Sequence, residues 1–139
     1  MTALEATLTF LRKVRWALLA SIGFYTLVCL RAPVKHAPKP IVLYAIMLIA
    51  LNLVLSMFFF RRKFIIAAET VLSVTPDDPR ALARLRTGYI LIWALSEAIV
   101  LYGLVLHYMG FSFAQVSPFF MAGFVLMLFM PPRRPVESH

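Results

Sequence analysis

Long apolar blocks separated by short polar breaks make up this chain. Within the blocks the apolar residues run on without the period of a half-buried helix or strand. Continuous runs of this length are the pattern of helices that cross a bilayer. Four such spans are predicted, at about 15–31, 41–60, 88–109 and 113–130. The second holds 20 residues, which at 1.5 Å per residue cover ~30 Å, the thickness of the hydrocarbon core. The fourth carries Pro118 one turn in. Either a short interfacial helix ends at Ser117 and another begins, or one helix from about Phe113 is kinked.

The breaks have their own logic. Thr2 and Glu5 are spaced as a capping box, and Leu4, Leu8 and Leu11 follow at helical spacing, so a short helix leads straight into the first span. No small-x-small cleavage motif follows the run at 16–30, which therefore reads as a retained span and not a signal peptide. Residues 31–40 contain three prolines and form an extended link. Residues 61–87 form a polar helical hairpin: the second helix continues past Arg61, Asp78 is the N-cap of the next helix and Pro79 its first residue. The tail, 131–139, is proline-broken and expected to be disordered. The fold expected is an all-α membrane protein of one domain. It has four transmembrane helices and both termini inside, and the second and third spans form a long hairpin projecting into the cytoplasm.

Charge fixes that orientation. Eleven lysines and arginines fall on the side of the termini and hairpin, against three on the other, as the positive-inside rule requires. Charged residues are 14% of the chain, well below the ~25% of soluble proteins. The net charge of +8 sits beside apolar spans, which points to anionic lipid headgroups and not to nucleic acid. Arg61, Arg62, Lys63, Arg80, Arg84 and Arg86 are the residues expected to meet lipid or a partner. This is the layout of a multi-pass protein of the bacterial inner (cytoplasmic) membrane.

The third span holds one ionisable residue at mid-depth, Glu97. Ionising a carboxyl there costs at least ~2.5–3.5 kcal/mol. Tyr25 and Asn52 fall within roughly 3 Å of the same level by helical rise, so the three are expected to form one polar layer, with Glu97 hydrogen-bonded to Asn52 or Tyr25. Two readings stand. Glu97 holds the helices in register, or it takes up and releases protons along an ion path. Ser96, Gly103 and Gly110 recur every seven residues as a small-residue stripe for helix packing. His36 and His107 are expected at the far interface, and Trp93 and Tyr102 deeper, flanking Glu97. One cysteine, Cys29, gives neither a disulfide nor a zinc site. No metal site, cofactor, nucleophile–base set or phosphate loop is indicated, so an enzyme is not expected.

The segment ALSEAIVLYGLV, residues 94–105, resembles the ion-carrying helix of rotary ATPase proteolipids. Those helices read glutamate-alanine and then tyrosine-glycine-leucine. By that resemblance Glu97 matches the ion-binding carboxylate, on the helix that follows a cytoplasmic turn. Two functions from different classes follow. One is a non-enzymatic accessory or scaffold subunit of a larger membrane assembly, meeting other membrane subunits or copies of itself. The other is a proton- or cation-translocating subunit, or an oligomeric transporter, built around Glu97.

Overall fold

The computed structural model describes residues 2–31 and 39–132, and among these no strand occurs. Five α-helices are present: α1 (Ala3–Arg31), α2 (Pro40–Phe60), α3 (Ala67–Val74), α4 (Pro79–Tyr108) and α5 (Phe113–Leu128). A π-helical segment, Arg61–Ile66, joins α2 to α3. Together these make one unbroken helix, Pro40–Val74, of 35 residues. Among the described residues three helices, α1, α2–α3 and α4, are long and apolar enough to cross a membrane.

Local sequence accounts for where the helices start. The Thr2 backbone N–H donates to Glu5 Oε2 at 3.1 Å, and the Glu5 N–H donates to Thr2 Oγ1 at 3.2 Å, closing the expected capping box. At the hairpin tip Asp78 accepts from the Arg80 N–H at 2.9 Å and Pro79 opens α4. These groups satisfy backbone donors that a helix start leaves free. The start of α5 uses a second capping box, unanticipated from the sequence, between Ser112 and Gln115.

The last helix departs from expectation in length. It is one helix of 16 residues with Pro118 inside, about 24 Å long, and not an 18-residue span reaching Met130. Pro118 has no N–H for the Ala114 carbonyl, but the Ser117 hydroxyl donates to that oxygen at 3.1 Å, so the helix continues through it. Its other end unwinds ahead of Pro131 and Pro132. The expected link at 32–38 and the end of the tail, 133–139, lie outside the described residues.

Packing is organised around α4. Every other element touches it, whereas α2 touches neither α1 nor α5 among the described residues. The α4–α5 contact is the closest. A Cβ on Gly123 would meet the Ser96 carbonyl oxygen at 2.7 Å and collide with Val100, and one on Gly103 would meet the Phe119 Cβ at 2.8 Å. Gly88 does the same for the hairpin, since a Cβ there would lie 2.8 Å from the Phe64 Cβ in the π segment. Small residues thus let α4 approach its neighbours at backbone distance.

Candidate functional site

The carboxyl of Glu97 is carried on α4 at the margin of its buried face. Trp93, Ser96 and Val100 are buried, while Ala94 and Leu101 are exposed, and Glu97 between them is half-buried. The Tyr25 hydroxyl of α1 lies close enough to interact with it. Phenol and carboxyl thus meet along the seam between α1 and α4, and this seam opens to the outside of the bundle.

Asn52 is not brought to them. It is exposed on the outer face of α2, beside Leu48, Ile49, Leu51 and Leu55. The depth argument placed it at the right level, but depth leaves the direction of a side chain open. Because α2 is apolar around its whole circumference, its sequence carries no azimuth. The polar layer has two members, Tyr25 and Glu97.

The small-residue stripe is also shorter than expected. Ser96 and Gly103 are buried and pack against α5 within the molecule. Gly110 lies beyond the helix end, at φ 112°. Its N–H donates to the His107 carbonyl at 3.0 Å and the Phe111 N–H to the Leu106 carbonyl at 3.1 Å. That is the Schellman closure, which needs a left-handed residue after the cap and so favours glycine there. The heptad spacing was met by a residue with a different job.

His107, in the last turn of α4, faces the protein. It is buried, with Nδ1 2.9 Å from the Phe111 carbonyl oxygen, so that Nδ1–H donates across the α4–α5 turn. His36 lies outside the described residues. Tyr102 is half-buried and, five residues on from Glu97, is turned away from it by about 140°.

Two residues that sequence reasoning did not connect close the other end of α5. Trp93 is fully buried and its indole N–H donates to the Met130 carbonyl at 3.1 Å. The guanidinium of Arg15 donates to the carbonyls of Met127 at 3.3 Å and Leu128 at 3.1 Å. A helix leaves its last carbonyls without intrahelical donors, and in apolar surroundings each needs a partner. The neighbouring Arg12 and Lys13 are exposed, whereas Arg15 is partly buried.

Around the hairpin, Arg62, Lys63, Arg80, Arg84 and Arg86 are exposed and Arg61 is half-buried. Arg86 lies over the Phe10 ring, 4.6 Å from its centre, an arrangement that holds a cation without neutralising it. Among the described residues no group of three or more histidines, cysteines, aspartates or glutamates could hold a metal ion. No protein-family model, curated protein or solved structure matches the chain.

Proposed function

We propose that this is a non-enzymatic multi-pass membrane protein, an accessory or scaffold subunit that joins a larger membrane assembly through the α1–α4 seam. The observation that carries this reading is the placement of Glu97. It sits halfway along the third apolar helix, half-exposed at the outer margin of the bundle, with Tyr25 beside it. A carboxyl that faces hydrocarbon still needs groups to satisfy its oxygens, and a neighbouring helix laid along the seam would supply them. Exposed Ala94 beside Glu97 leaves room for close approach.

In this reading the chain crosses the membrane four times with both termini in the cytoplasm, and α5, at about 24 Å, spans by local thinning of the bilayer. The exposed cations of the hairpin meet anionic headgroups, each worth about 1 kcal/mol near the surface.

The same half-exposure favours one rival reading, in which several copies form a proton or cation path and Glu97 is its carrier. It matches the resemblance of residues 94–105 to proteolipid helices. The two part in a flux measurement on purified protein in liposomes, wild type beside Glu97→Gln. The scaffold reading expects no proton flux from either. In native membranes it also expects the wild type to migrate in a complex larger than the chain itself, and a Glu97→Leu variant to be released from it. Flux in the wild type that vanishes in Glu97→Gln would replace the scaffold by the ion path.

A further inference from the structure

Between α2 and α5 runs a cleft of about 470 Å³. It exists because both helices pack on α4 and not on each other. Leu48, Ala50 and Leu51 form one wall, Pro118 and Ala122 the other, and Ile99 of α4 the floor. Leu48 is 69% exposed and Leu51 56%, so the wall is uncovered within one chain. The cleft follows α2 from the level of Tyr44 to that of Val54, a rise of about 15 Å.

We propose that this cleft binds one acyl chain of an anionic phospholipid, whose phosphate sits at the mouth beside Lys39. Size selects the occupant. A helix with its side chains is about 10–12 Å across and would lie over this open cleft with much of its girth outside it. An extended hydrocarbon chain is narrow enough, and the cleft runs along the helix axes as lipid chains do. Its lining is apolar throughout, with Tyr44 at the rim supplying the one hydroxyl.

Charge selects the headgroup. Lys39 is exposed where α2 begins, just over one turn from Tyr44. The amino ends of α2 and α5 lie at this end of the molecule together with the carboxyl ends of α1 and α4, so the helix poles offset one another. The fixed positive charge there is that of Lys39 and Arg31. The described carboxylates lie elsewhere: Glu5, Glu69, Asp77 and Asp78 towards the hairpin and Glu97 halfway along α4. A phosphate at the mouth therefore meets positive charge and no described carboxylate.

The inference rests on the transmembrane reading, whose own failure would appear first, as release of the protein from membranes by alkaline carbonate. The test is native mass spectrometry of the detergent-purified protein with phosphatidylglycerol or phosphatidylcholine of identical chains. The wild type should keep one phosphatidylglycerol per chain at activation energies that strip phosphatidylcholine. Leu51→Trp and Ala122→Leu, which fill the cleft from opposite walls, should each lower the retained fraction about fivefold or more, roughly 1 kcal/mol of affinity. Leu55→Trp, on α2 but outside the cleft, should not, and Lys39→Glu should erase the headgroup preference. Equal retention by Leu51→Trp and Leu55→Trp, or equal retention of the two lipids by the wild type, would overturn the proposal. So would an oxidised Leu48→Cys dimer in native membranes, which would place a second copy over the cleft.

Discussion

α2 and α4 are both apolar enough to cross a membrane, yet the molecule uses them in opposite ways. The α2–α3 helix has the higher mean hydropathy, 2.5 against 2.0, but 11% of its most apolar stretch is buried against 44% for α4. In water the more apolar element would be the inner one. Here the order inverts, as it does when the solvent is itself hydrocarbon and gains nothing from expelling a leucine. What draws a helix to the centre is then small or polar groups that need a neighbour. α4 has Gly88, Ser96, Gly103 and Trp93, each buried, whereas α2 buries only Ala50 and Met57.

The contrast can be broken hardest at the α4–α5 contact. Gly103→Leu and Gly123→Leu each put a side chain where the backbone of the partner helix lies, and either should cost about 3 kcal/mol or more, read as a lower SDS midpoint of unfolding in detergent micelles. Smaller is the loss at the end of α5. Trp93→Phe keeps the ring but frees the Met130 carbonyl, and Arg15→Gln weakens the hold on Met127 and Leu128. About 1 kcal/mol is expected from each, and the double variant should lose roughly the sum if the two act on separate carbonyls. Smallest is the effect on outward faces. Leu55→Ala on α2 and Gly23→Leu on α1, where a Cβ meets nothing within 4 Å, should both fall within about 0.5 kcal/mol of wild type by the same titration. A large loss from Leu55→Ala would mean that α2 packs against something within a chain or between chains, and the inside–outside contrast would fail.

Much of the layout was legible because it rests on local rules. The continuous apolar blocks gave the long helices, Thr2 and Glu5 gave the first cap, and Asp78 with Pro79 gave the start of α4. What stayed hidden depends on rotation about a helix axis or on partners distant in sequence. Asn52 was placed at the right height and on the wrong side, because α2 offers no polar face to orient it. Gly110 fitted a packing repeat until the helix ended two residues before it. The π segment has no motif in RRKFII that separates it from ordinary helix. Tyr25 beside Glu97 was one of two partners that depth allowed, and only the packing of α1 on α4 chooses between them. The pairing of Arg15 with residues 127 and 128 spans more than a hundred positions, beyond any local pattern.

That pairing has a bearing on how the protein is made. The carbonyls that Arg15 engages belong to Met127 and Leu128, so they do not exist until more than a hundred further residues have been synthesised. On the proposed transmembrane reading α1 enters the membrane before α5 is made, carrying a guanidinium whose acceptors arrive later. Until then that cation can rest among headgroups at the membrane surface. Its transfer to the closing turn of α5 would mark the moment when the bundle locks, joining α1 to α5.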